Sequence, residues 1–273
     1  MRYQNHVASL VCGVAIGGAA FGAAGQSLHA ADYLIRVSEG RLEAGGVDAG
    51  GSPLYPVRVK SGVFGAEGIP NFTNDPGVNA QNGQLVPGMS VGFDLVAAVR
   101  AWDPDAGFVG VSGDRITVRK SGINTQTPVS DSVVPGIVFG QADLDAAAGF
   151  HHHVSFILNP AGGGTPSGLW LLAWELWTDA PGVERTETLY IVFAQGAAAG
   201  ELDAAVAWVE DNLLGGGCVA DTNGDGVLNF FDVSGFVGLY NGQDPRADLA
   251  APFGVWNFFD VSAYIAAYNA GCP

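Results

Sequence analysis

Two stretches of this 273-residue chain carry side chains able to bind a metal ion. The first, Gly149-Phe-His-His-His-Val-Ser-Phe-Ile-Leu158, sets three imidazoles against an apolar run. As one strand it would place His151, His153, Ser155 and Ile157 on one face, and His152, Val154, Phe156 and Leu158 on the other. An H-x-H pair on a strand brings two imidazoles to the same side, near enough to share one ion. Imidazole suits Zn²⁺ or a similar borderline metal. A third ligand has to come from elsewhere in the chain. Glu175, a lone carboxylate within the apolar stretch Leu171–Trp177, is the candidate, with Asp143 and Asp145 as alternatives. The same pattern also fits histidines that sit in solvent at a strand end.

The second stretch is Asp221-Thr-Asn-Gly-Asp-Gly-Val-Leu-Asn-Phe-Phe-Asp232. Oxygen side chains fall at loop positions 1, 3, 5, 9 and 12, with Gly226 at the sharp turn of position 6. This is EF-hand spacing, which wraps hard oxygens around Ca²⁺. Asp221, Asn223 and Asp225 would ligate directly and Val227 through its carbonyl. Asn229 would act through water, and Asp232 would close the shell. Gly226-Val-Leu-Asn-Phe-Phe-Asp-Val-Ser234 returns as Gly254-Val-Trp-Asn-Phe-Phe-Asp-Val-Ser262. The second copy offers Leu249, Ala251 and Phe253 where oxygens should be. One strong calcium site and one degenerate repeat are therefore expected.

The elements that must hold these groups change character along the chain. From Ala31 to about Gln195, short apolar runs alternate with Gly, Pro, Asn and Asp, with no βαβ rhythm. Candidate strands are Tyr33–Val37, Arg41–Glu43, Val91–Ala101, Arg115–Arg119, His152–Leu158, Leu169–Trp177 and Thr186–Phe193. No pattern places a strand between Gly45 and Pro87. Glu201–Leu214 switches to helical period, with Leu202, Ala205, Val206, Val209 and Leu213 on one face. Gly215-Gly-Gly217 ends that helix. The expected fold is mainly β: an antiparallel β-sandwich over residues 31–214 with one C-terminal helix, a glycine linker at 215–217, and a small all-α module over 218–273.

Aspartate and glutamate number 27 against 11 lysines and arginines, a net charge of −16. This excludes a nucleic-acid partner and an anionic membrane surface. Residues 1–30 read as a secretory leader: Arg2, an apolar Gly/Ala-rich run from about Val7 to Ala24, then small residues with cleavage near Ala30 or Ala31. The run is only weakly hydrophobic, which argues against an uncleaved anchor, so no membrane insertion is expected after cleavage. Cys12 follows Leu10 and Val11, too bulky for a lipoprotein site. Only Cys218 and Cys272 remain in the mature chain. In an exported protein two cysteines are most simply a disulfide, worth about 2–4 kcal/mol to a module with little core.

The stretch from Gly217-Cys218 to Gly271-Cys272 resembles a dockerin of the variety bounded by Gly-Cys pairs. That resemblance implies a calcium-folded anchoring module and a cohesin-like or other cell-surface docking protein as partner. Dockerins usually carry small polar residues at loop positions 10 and 11. Phe230, Phe231, Phe258 and Phe259 stand there instead. One Phe of each pair is expected in the core and the other against a partner. A second resemblance rests on Asp32-Tyr-Leu-Ile-Arg-Val-Ser-Glu-Gly-Arg-Leu42, the HHH strand, Gly168–Trp177 and Leu189-Tyr-Ile-Val-Phe-Ala-Gln-Gly196. These resemble secreted, surface-anchored bacterial proteins repressed by the zinc-uptake regulator, which usually carry PEP-CTERM sorting signals. It implies a zinc-linked surface role.

Three functional classes compete: a metal-binding surface protein, a structural, adhesive or carbohydrate-binding sandwich, and a metal-dependent or polysaccharide-active enzyme. A cupin-type oxygenase would need Glu soon after the H-x-H and a later His. Ile157, Leu158 and Asn159 fill that region, and no His follows. No carboxylate pair stands out for glycoside hydrolysis. The reading is a non-catalytic, secreted and surface-anchored binding protein.

Overall fold

The computed structural model describes residues 29–48, 50–144, 149–214, 219–223, 227–250 and 255–271. Its strands are β1 (Tyr33–Ser38), β2 (Arg41–Val47), β3 (Pro53–Leu54), β4 (Val59–Val63), β5 (Phe72–Thr73), β6 (Val78–Ala80), β7 (Ser90–Leu95) and β8 (Arg100–Ala101). They continue as β9 (Arg115–Lys120), β10 (Ile123–Gln126), β11 (Val134–Gln141), β12 (Phe150–His152), β13 (Ser155–Asn159), β14 (Gly168–Thr178) and β15 (Leu189–Gln195). Helices α1 (Glu201–Leu213), α2 (Phe230–Asn241) and α3 (Phe258–Ala270) follow, with a 3-10 turn at Pro245–Ala247.

Three sheets form, in the orders β12-β6-β1-β2-β3, β10-β9-β13-β5 and β11-β7-β14-β15-β4, with β8 added to β14. Two of them are mixed, because β1 runs parallel to β6 and β15 runs parallel to β4. The expected antiparallel sandwich followed by a separate all-α module is therefore corrected. The chain is mainly β with mixed sheets and three α-helices among the described residues, the last at Phe258–Ala270. Both parallel pairings use strands from the Gly45–Pro87 stretch. β6 has three residues and is buried throughout, so no alternation marks it. Parallel partners also need long connections, which short-range turn signals do not reveal.

The core lies between the sheets. Trp170, Leu172, Trp174 and Leu176 of β14 point into it, beside Tyr33, Phe93, Phe139, Phe156 and Phe193. Leu169 and Leu171, on the other face of β14, meet α1 through Ala205 and Val209. The helical face expected from period is the one that packs: Leu202, Val206 and Leu213 flank the two buried residues. Burying Val209 fully contributes roughly 1.5–3 kcal/mol. With apolar residues on both faces, β14 reads as a near-continuous hydrophobic run.

Toward the C-terminus, Ala220, Phe236, Ala247 and Tyr264 make a small cluster of their own, with Phe236 and Tyr264 stacked at 3.9 Å. Cys218 and Cys272 lie outside the described residues. No described helix is long and apolar enough to cross a membrane.

Candidate metal centre

The histidine run is not one strand. β12 ends at His152 and β13 begins at Ser155, and the two strands belong to different sheets. The alternation survives the break: Val154, Phe156 and Leu158 are buried, while His151 and His153 converge. Their Nε2 atoms lie 3.0 Å apart. His152 turns away from them, edge-on to Phe150. Burial, and then the charge of Lys120, pull the His152 imidazole below its ordinary range.

Strand β6 assembles the site. It pairs antiparallel with β12, bringing His151 opposite Asn79, and parallel with β1, bringing Tyr33 opposite Val78. Asp32, the residue before β1, is thereby delivered to the imidazoles. The Gly77 amide donates to Asp32 Oδ1 at 2.9 Å and fixes the carboxylate. The other oxygen, Oδ2, is buried and has no hydrogen-bond partner. It lies 3.2 Å from His151 Nε2, 3.9 Å from His153 Nε2 and 3.5 Å from His29 Nδ1. His29, Asp32, His151 and His153 each offer one ligand atom, all within 4.8 Å of one another, so this group could hold a metal ion.

The donor set fits a divalent cation. Asp32 is fully buried, whereas the side chains of His151 and His153 are 27 and 30% exposed. His153 Nδ1 lies 2.9 Å from the Asn74 carbonyl, which can only accept, so Nδ1 carries the proton and Nε2 presents a lone pair. Such an outer hydrogen bond fixes the tautomer of a metal-binding histidine. In the metal-free chain His151 Nε2 is then the donor of the 3.0 Å bond to His153 Nε2, and an ion between these nitrogens and Asp32 Oδ2 would replace that proton. Bonds of about 2.0–2.1 Å to a tetrahedral zinc would separate ligand atoms by about 3.3 Å. The 3.0, 3.2, 3.5 and 3.9 Å edges lie around that value, within a group whose ligand atoms are all within 4.8 Å of one another. Gly77 is required for this approach, because a Cβ there would lie 2.6–2.8 Å from the His153 ring.

Glu175 is not part of this group. It accepts from Arg185 at 3.1 Å and from the Thr188 hydroxyl at 3.2 Å, next to Asp94 on β7. Asp143 belongs to a backbone turn with Gly88 and Gly149, and Asp145 lies outside the described residues. Sequence reasoning missed Asp32 and set His29 aside with the leader. The available signal was a carboxylate placed immediately before the apolar strand Tyr33–Val37. The spacing G-x-S-x-G occurs at Gly88–Gly92, but Ser90 opens β7 rather than a strand-to-helix turn.

The repeated Asn-Phe-Phe-Asp has a role that loop spacing did not suggest. Asn229 and Asn257 are the N-caps of α2 and α3, and each forms a capping box with the Asp three residues on. Asn229 Oδ1 accepts from the Phe231 amide and its Nδ2 donates to the Val227 carbonyl. In the second copy, Asp260 accepts from the amides of Leu249, Ala250 and Asn257 at 2.7–2.9 Å. The Asn257 bond first, with the other amides, holds its carboxyl below the usual range. In the first copy, burial pushes Asp232 up. The amides of Asn229 and Asn223 and the side chain of Asp221 outweigh it, leaving the carboxyl low. Asp225 lies outside the described residues. Phe230, Phe231, Phe258 and Phe259 are all exposed, at 61–75%, so the expected core member of each pair is corrected.

No family model matches the chain, and no curated relative matches it. Part of the chain is similar to a solved family 123 glycoside hydrolase from Clostridium perfringens, studied for glycolipid glycan hydrolysis. The two are 11% identical, and the match covers 51% of this chain and 23% of that one with a TM-score of 0.23. A likeness at that level carries no argument about fold or activity.

Proposed function

We propose that this chain is an exported, surface-attached, non-catalytic protein that binds zinc, or a similar borderline divalent ion, through His29, Asp32, His151 and His153. The observation that carries this reading is Asp32 Oδ2, buried without a hydrogen-bond partner and ringed by three imidazole nitrogens. Three nitrogens and one carboxylate oxygen suit zinc better than calcium or magnesium, which prefer oxygen. Four ligands also complete a tetrahedral shell, which is the pattern of a holding site rather than one with an open catalytic position.

Calcium is proposed at the first C-terminal loop only. In support, Asp232 has the Asp221 side chain beside it as well as the amides of Asn223 and Asn229, whereas the partners of Asp260 are the amides of Leu249, Ala250 and Asn257. Two carboxylates in contact need a cation or a shared proton, and the second loop has no such need. The four exposed phenylalanines would then meet a cohesin-like or other cell-surface partner.

The test is zinc titration of the full chain by calorimetry, together with elemental analysis. One zinc per chain is expected, lost in the double variant His151→Ala/His153→Ala. Unchanged binding by that variant would show that the histidine site is wrong.

A further inference from the structure

The four-ligand group contains a residue that the simplest reading of the leader would discard. Cleavage after Ala30 or Ala31 removes His29, leaving two imidazoles and one carboxylate with an open position. The described structure ties the His29 segment to the domain. Its ring packs edge-on against His151, with centroids 4.7 Å apart. The Asp32 amide donates to the His29 carbonyl at 3.0 Å, closing a turn that aims Nδ1 at Asp32 Oδ2. Lys60 Nζ donates to the Ala30 carbonyl at 2.9 Å and pins the same segment to β4. Burial pulls the Lys60 ammonium below its ordinary range, against the attraction of Asp32.

Two chemical arguments point the same way. Leader peptidases need small residues at the first and third positions before the cut. A cut after Ala30 presents Leu28 at the third position, and a cut after Ala31 presents His29. A cut after Ala24 presents Gly22 and Ala24, both small, directly behind the apolar run. A cut beside Asp32 would also create an α-ammonium next to the ligand atoms, where its charge would repel an incoming cation.

We infer that leader removal falls N-terminal to His29, and that His29 stays in the mature chain as the fourth ligand, closing the coordination shell. This rests on the metal reading above. It also decides between two kinds of site, because loss of His29 would convert a closed four-ligand shell into an open three-ligand one.

The test expresses the full chain with its own leader in an exporting bacterial host and reads the exported product by intact mass and N-terminal sequencing. A first residue at or before His29 is expected, with Gly25 favoured by the small-residue rule. In parallel, zinc affinity is measured for the exported wild type and for His29→Ala. The variant should bind at least tenfold more weakly with the stoichiometry still near one. Cobalt(II) substitution should give the intense visible bands of a four-coordinate ion in the wild type and weaker bands in the variant. A product beginning at Ala30 or later, or an uncleaved product, overturns the inference. So does a correctly cut chain in which His29→Ala leaves zinc affinity and the cobalt spectrum unchanged. Failure of the underlying metal reading looks different: the wild-type chain itself takes up no zinc, wherever it begins.

Discussion

Replacing Asp32 by Asn separates a metal site from an ordinary buried ion pair by the sign of its effect. The Gly77 amide holds Oδ1, so the new amide keeps its oxygen there and turns its NH₂ toward the imidazoles. In the metal-free protein the wild type keeps a buried carboxylate oxygen with no hydrogen-bond partner. An unsatisfied buried group of this kind costs about 1–3 kcal/mol. Asn removes the charge and supplies a donor toward His153 Nε2, the acceptor nitrogen of the pair. Asp32→Asn should therefore stabilise the metal-free chain by on the order of 1 kcal/mol.

With zinc the order reverses. Free zinc at one hundred times its dissociation constant stabilises a one-site protein by about 2.7 kcal/mol. For a chain of this size that raises the melting temperature by about 5–10 °C. The variant lacks the anionic ligand and should show none of this rise. The assay is urea unfolding at pH 8 in EDTA and in buffered zinc, with thermal melts alongside. If Asp32 instead paired with a permanently protonated histidine, its removal would destabilise the EDTA form by about 3–5 kcal/mol. A variant less stable than wild type in EDTA, or one that keeps the zinc-dependent rise, refutes the reasoning.

Other substitutions probe the supports. Gly77→Ala drives a methyl into the His153 ring, so urea unfolding should show a loss of about 1–3 kcal/mol and calorimetry a zinc affinity at least tenfold weaker. Glu175→Gln should leave zinc binding untouched and cost no more than about 1 kcal/mol, because it releases only partly exposed contacts with Arg185 and Thr188. Calcium titration of the full chain should show one strong site, lost in Asp221→Ala. Asp260→Asn should lower the melting temperature without changing calcium stoichiometry, since that carboxylate is already taken by amides.

What could be read in advance divides along physical lines. Period alone located α1 and its buried face, because a solvent-facing helix keeps its pattern. Most long strands were visible for the same reason, and β14 through its continuous apolar run. The three-residue β6 was invisible, since a strand buried on every residue has no alternation and its neighbours are Gly, Pro and Asn. That blindness carried through to the site. The H-x-H pair was legible because its geometry is local, two residues apart. Its carboxylate was not, because Asp32 comes within reach only when β1 lies parallel to β6, and β6 antiparallel to β12. Glu175 looked the better ligand on sequence because a lone carboxylate in an apolar strand invites a partner. The partner it finds is Arg185, ten residues on. The repeated Asn-Phe-Phe-Asp was legible as a repeat, but that its Asn and Asp cap two helices was not visible from loop spacing. Charged residues kept for a local hydrogen-bonding task and those kept for a ligand look alike in sequence. What tells them apart is whether their oxygens are already occupied, as at Asp260, or left bare, as at Asp32 Oδ2.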